Sequence, residues 1–389
     1  MRSARLSLGA LAVVAALAVA ACSGGSTGAS PSAPAPSPSG ASTASAACPS
    51  SPAPANPPGA AGAPAGATPQ VKLVVPVDTS TSTVLKPDPA QQIQCGKVQV
   101  DTKSDVAFAA PKLANGQTKQ LLMDIQVPQT PGPKPLVVYV PGGGFVQDDK
   151  QGNLPLRTYA ADAGFVVASV QYRVQPDGAT YADSIADVKS AIRYLRAHAS
   201  EYQIDPGKVG VWGDSAGGYL VAMVGVTNGD KQYDIGENLD QSSDVQAVVD
   251  KFGASDLSKL ESDYDAASQQ AAAGLMTVVG KYVNGPASTQ PASATPATVA
   301  AANPITHIKP TDPPFVIFHG SADTLISPSQ TLMLQNALKA AGVKSTRYVV
   351  EGAGHGDLSF TGDTKSALQW TSANVAAPLL DFLNQSLKG

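Results

Sequence analysis

Short apolar runs, continuous rather than alternating, recur from about residue 98 onward with amphipathic stretches between them. LLMDIQV at 121–127, LVVYV at 136–140, FVVASVQYR at 165–173, KVGVWG at 208–213, AVVDKFG at 247–253, FVIFHG at 315–320 and TRYVVEG at 346–352 make up the series. Runs of this kind suit strands buried on both faces, the condition of a parallel sheet covered by helices. Between them, Tyr181 to His198 carries Ile185, Val188, Ile192 and Leu195 at the spacing of a helical stripe, and residues 328–341 and 375–387 read similarly. The expected fold is α/β, a mostly parallel sheet flanked by helices. Residues 258–303 break the rhythm: rich in Ala, Ser, Thr, Pro and Gln between two late strands, they predict a cap insertion over one end of the sheet.

The N-terminal part obeys different physics. Arg2 and Arg5 precede an apolar stretch, Leu6 to Ala21, that closes on small residues before Cys22, which reads as an export signal over residues 1–21. The ending VAAC resembles the lipobox of bacterial lipoproteins, which makes Cys22 a candidate lipid anchor and the membrane an expected partner; an uncleaved anchor is the alternative. The protein is then exported, either anchored to the cell membrane as a lipoprotein or secreted. From Cys22 to Gln70 the chain is nearly all Ala, Pro, Ser, Gly and Thr, too poor in apolar side chains to offset its ordering entropy, and predicts a disordered tether ahead of a domain at 71–389. Cys48 and Cys95 are a disulfide candidate in an oxidising compartment, with two free thiols as the other reading. A net charge of −4, from 26 basic and 30 acidic residues, disfavours nucleic acid as the main partner.

The chemistry concentrates at Gly213-Asp214-Ser215-Ala216-Gly217-Gly218, between the strand KVGVW and the apolar stretch YLVAMVGV. A nucleophilic serine on a sharp strand-to-helix turn requires small residues two positions before and after it, which Gly213 and Gly217 supply. Pro141-Gly142-Gly143-Gly144-Phe145 follows an earlier strand, where a loop can direct N–H groups at an acyl oxygen; Gly143, Gly144 and Ala216 are the candidate oxyanion donors. Only four histidines exist, His198, His307, His319 and His355. His355 lies in the Gly-rich loop after the last strand and is the candidate base; His319 closes a buried strand and reads as a core histidine whose loss mainly costs stability. Asp323, in the loop after FVIFHG, gives the chain order Ser, Asp, His and is the candidate orienting acid, ahead of Asp312 and Asp357. Asp214 reads as structural.

PGGGF, Gln171-Tyr172-Arg173, DSIADVKSAIRYLRAH, VGVWGDSAGG, NPITHI, HGSADTLISPSQ and EGAGHG together resemble the hormone-sensitive-lipase-like esterases, and among them the bacterial acetyl-xylan and feruloyl esterase-like branch of the α/β hydrolases. The resemblance covers residues 120–385 and implies an α/β-hydrolase fold and a serine carboxylesterase working through an acyl-enzyme, on a small-molecule or polymer-borne ester, with no metal or organic cofactor. It has one departure. The group usually carries His before its glycines, and Pro141 stands there, so the loop geometry is in question. Alternative functions are an exo- or oligopeptidase of the same fold and a catalytically weak envelope binding protein. Because Tyr264 and Tyr282 are the only aromatics of the insertion, no deep apolar slot is expected, and the preferred acyl groups would be short, acetyl to butyryl.

Overall fold

The computed structural model describes residues 45–52, 71–356 and 364–389. The expected export segment, Cys22 and Asp357 lie outside them. In chain order the strands are β1 (Ala46–Ala47), β2 (Thr83–Leu85), β3 (Gln94–Cys95), β4 (Val100–Ala109), β5 (Leu121–Pro128), β6 (Lys134–Val140), β7 (Val166–Val170), β8 (Ile204–Asp214), β9 (Ala247–Lys251), β10 (Phe315–Gly320) and β11 (Ser345–Val350). The helices are α1 (Leu154–Asp162), α2 (Tyr181–Ala197), α3 (Ala216–Val226), α4 (Ala266–Asn284), α5 (Pro296–Val299), α6 (Ser329–Ala340), α7 (Thr364–Trp370) and α8 (Ala373–Leu387).

Nine strands form one sheet in the order β2-β11-β10-β9-β8-β6-β7-β5-β4. Pairing is parallel from β7 through to β2, and β5 is antiparallel to both β7 and β4. Each central strand feeds two cores. In β6, Leu136, Val138 and Val140 join the core beneath α2, α3 and α6, while Val137 and Tyr139 join the one beneath α1 and α8. That is why these strands read as continuous apolar runs. Helix α3 is buried along its whole length, as a helix apolar on all sides must be. The parallel strands β8, β10 and β11 end on the same side of the sheet, where ligands bind in open α/β sheets.

The tether expected over residues 22–70 is interrupted. Ala46 and Ala47 pair antiparallel with Cys95 and Gln94, Cys48 and Cys95 form a disulfide, and the Leu154 N–H donates to Ser51 Oγ at 2.9 Å. Residues 45–52 therefore lie on the domain. A covalent bond fixes there what composition alone cannot, because it removes chain entropy without needing apolar area.

Candidate active site

Ser215 sits between β8 and α3 with φ 57° and ψ −120°, a conformation a side-chain-bearing residue holds only when its surroundings over-determine it. Those surroundings are specific. A Cβ on Gly213 would meet the Gly217 carbonyl oxygen at 2.2 Å, and one on Gly217 would meet that of Val140 at 2.0 Å, so strand and helix can approach only through glycine. The Ser215 N–H donates to the Lys251 carbonyl at 2.9 Å. Asp214, expected to be structural, is buried and accepts from Asn153 Nδ2 at 2.6 Å, Trp212 Nε1 at 3.1 Å and the Tyr139 hydroxyl at 3.2 Å. It ties the turn to β6 and to the loop ahead of α1.

The residues proposed from sequence as base and acid meet the serine. His355 Nε2 lies 2.8 Å from Ser215 Oγ, and its Nδ1 lies 2.6 Å from Asp323 Oδ2. Beside a carboxylate, Nδ1 carries the ring proton and donates it to Asp323, which leaves Nε2 to accept from the serine hydroxyl. Asp323 Oδ1 accepts the N–H groups of Leu325 at 2.8 Å and Ile326 at 3.0 Å. Burial opposes ionisation of Asp323, but the adjacent His355 and the hydrogen bonds from His319 and His355 outweigh it and hold the carboxyl well below the usual carboxylate range. Phe252 packs on the His355 ring at 4.8 Å, and the Trp370 indole N–H donates to the Gly354 carbonyl at 3.2 Å, fixing the loop that carries the base.

His319 is more than a core histidine. Its Nε2 lies 3.1 Å from Asp323 Oδ2 and 3.0 Å from the Ile326 carbonyl, both acceptors, so Nε2 carries the proton. Its Nδ1 faces Thr331 Oγ1 at 2.8 Å, and that oxygen also receives Arg347 Nε at 3.0 Å. Burial lowers the basicity of this imidazole below the ordinary value, more than its bond to Asp323 raises it. A neutral donor thus buttresses the acid from behind. His319→Ala is expected to lower kcat about tenfold or more, the worth of a hydrogen bond to a charged group, in addition to destabilising the fold. His319→Gln, whose amide can reach the same carboxylate oxygen, should recover most of the rate, and kinetics on both folded variants check this. The remaining histidines serve elsewhere: His198 caps α2 through the Tyr194 carbonyl at 2.8 Å, and His307 Nε2 lies 2.9 Å from the Ala301 carbonyl. Asp312, the weaker rival for the acid, takes the Lys309 N–H at 2.8 Å.

Gly143 and Gly144, at φ 154° and 59°, line one cavity together with Ser215 and Ala216. Ala216 opens α3, where N–H groups have no intrahelical acceptor and the helix dipole favours an anion. The loop is held despite the missing histidine: the buried Tyr172 hydroxyl donates to the Pro141 carbonyl at 2.9 Å, and the N–H groups of Val146 and Gln147 turn back onto the Gly143 carbonyl at 3.0 and 3.1 Å. Phe145 stacks on Tyr282 of α4 with centroids 4.3 Å apart, so the insertion packs directly on this loop.

The cavity has a volume of about 370 Å³, and none of its described lining residues is charged. Leu275, Met276 and Val279 of α4 face it across from Leu325 and Ile326. The expectation that the insertion builds no apolar slot is therefore corrected. Its aliphatic residues recur on one face of a helix, and counting aromatics overlooked them.

A model of the family BD-FAE matches residues 123–338, a span that holds Ser215 and Asp323 and ends before His355. Among curated proteins, a probable carboxylic ester hydrolase, LipM of Mycobacterium tuberculosis, is 32% identical over 218 residues, covering 56% of this chain and 48% of its own length. The chain spans about half the length of the curated relatives it matches. Among solved structures, a truncated carbohydrate esterase from gut microbiota aligns with a TM-score of 0.60 at 27% identity, over 74% of this chain and 97% of its own. A thermophilic esterase of Thermogutta terrifontis with propionate bound aligns with a TM-score of 0.53 at 26% identity, over 73% and 93% of the two chains.

Proposed function

The chain belongs to the BD-FAE family, and from that premise we propose that it hydrolyses carboxylic esters through an acyl-enzyme. The observation that carries the reading is the unbroken hydrogen-bonded line from Ser215 Oγ through His355 to Asp323, at the end of the sheet and on the wall of an apolar cavity. In this reading Ser215 Oγ attacks the ester carbonyl as His355 Nε2 takes its proton. The N–H groups of Gly143, Gly144 and Ala216 hold the oxyanion, each such donor being worth about 3 kcal/mol in the transition state. His355 then returns the proton to the leaving alcohol, and water repeats the sequence on the acyl-enzyme.

The cavity supports uncharged, apolar acyl groups. Its roughly 370 Å³ is more than twice a cavity of about 150 Å³ known to hold benzene, so it takes acyl groups longer than butyryl or one aromatic ring. Each methylene buried there contributes roughly 0.8 kcal/mol. With p-nitrophenyl esters, kcat/KM is expected to rise from acetate through hexanoate or octanoate and to fall at palmitate. A maximum at acetate, the shorter preference expected from composition, would overturn this pocket assignment.

The Arg-flanked apolar segment and Cys22 support a place at the cell envelope, reached by export and held by lipid on that cysteine. Cys22→Ser should release the protein from the membrane fraction or block its processing. An unchanged membrane-bound mature form would contradict lipidation.

A further inference from the structure

Val71 is buried against Tyr264 and Ala272, with half-buried Leu73 beside it, in a small apolar cluster separate from both main cores. It also lines the cavity of Ser215. Val71 belongs neither to the sheet nor to the insertion. It lies on a short segment that precedes β2 and is zipped onto the start of the insertion. The Val74 N–H donates to the Asp263 carbonyl at 2.8 Å, the Asp265 N–H to the Lys72 carbonyl at 3.0 Å, and the Lys72 N–H to Ser268 Oγ at 2.7 Å, around an antiparallel bridge between Leu73 and Tyr264. Tyr264 continues the wall across the cavity, its hydroxyl donating to the Leu325 carbonyl at 2.6 Å.

We propose that residues 71–74 form a strap that closes one wall of the acyl cavity, with Val71 as a residue that determines which acyl groups fit. The inference rests on the ester-hydrolase reading and adds its specificity element. Two features make the strap adjustable. Its apolar cluster is small and Val74 is well exposed, so its attachment belongs to the weakly held end of the structure. It is also followed by β2, which pairs with β11, so a detached strap remains held to the sheet at its C-terminal side.

The test uses the full chain with p-nitrophenyl acetate and octanoate. Val71→Phe, which fills the wall, is expected to lower the octanoate-to-acetate ratio of kcat/KM about tenfold or more, since several methylenes lose their burial. Val74→Pro removes the N–H that holds the strap to Asp263 and should flatten the dependence on chain length, and Val71→Ala should raise the ratio of longer to shorter esters. The last two change a peripheral contact and leave the main cores intact, so they report even where Val71→Phe disturbs folding. Active variants whose octanoate-to-acetate ratios all match the parent would overturn the strap alone. A parent protein inert toward every ester would overturn the hydrolase reading, and the strap's role with it.

Discussion

Ser215→Ala is expected to lower kcat for ester hydrolysis by about six orders of magnitude, as removal of a triad nucleophile does, while the melting temperature stays close to that of the parent. The side chain is buried and its hydroxyl bonds to His355, so alanine removes one hydrogen bond and little volume. The turn itself does not depend on that hydroxyl. It is held by the close approach of Gly213 and Gly217, by the Ser215 N–H on the Lys251 carbonyl, and by the donors converging on Asp214. Residual hydrolysis above the water rate should come only from oxyanion binding. Turnover within tenfold of the parent, in a variant with an intact fold, would remove Ser215 from the nucleophile's role; that threshold is roughly what a single lost hydrogen bond explains.

Asp323→Asn is expected to cost about four orders of magnitude in kcat, with substrate binding little changed. The amide nitrogen that takes the place of Oδ2 donates and cannot accept from His355 Nδ1, so the imidazole loses the tautomer that presents a bare Nε2 to Ser215. Stability should fall too, with a defined dependence on pH. Burial alone would raise the Asp323 carboxyl, but His355, with the hydrogen bonds from His319 and His355, depresses it below its unfolded value. A depressed carboxyl contributes stability that is fully present above the unfolded range, near pH 4, and is lost as pH falls through the folded value. The melting-temperature gap between parent and variant should therefore be largest at neutral pH and close in strong acid. A gap that widened toward acid would contradict the assignment of His355 and His319 as partners of an ionised Asp323.

The parallel part of the sheet was legible because β6, β7, β9, β10 and the second half of β8 are buried on both faces, which writes itself into sequence as continuous apolar runs. The site was legible for a related reason: a serine forced onto a sharp turn leaves Gly213 and Gly217 at fixed spacing, and each partner follows a strand of its own. What escaped reading depends on tertiary contact. Strand β4 carries exposed charged and polar residues and gains its order by pairing with β5, and β2 spans three residues held at the edge of β11. His319 reads as a core residue because nothing local shows that the turn after β10 brings Asp323 back onto its ring. Tyr172, within the Gln171-Tyr172-Arg173 segment, had no visible partner until the fold placed the Pro141 carbonyl against its hydroxyl. The apolar face of α4 had a usable signal. Ala271, Ala272, Leu275, Met276 and Val279 follow helical spacing within a stretch that composition alone marks as polar and small.

Whether Ser215 is the nucleophile is tested by covalent labelling of the intact protein with an alkyl p-nitrophenyl phosphonate, followed by peptide mass spectrometry and an activity assay on the same samples. A phosphonate forms a stable adduct only with a hydroxyl that a neighbouring base has activated. One adduct per chain is expected, on the peptide bearing Ser215, formed in step with the loss of ester hydrolysis, absent in Ser215→Ala and strongly slowed in His355→Ala. Inactivation that tracks an adduct on any other residue, or full ester hydrolysis by protein already labelled at Ser215, would contradict it.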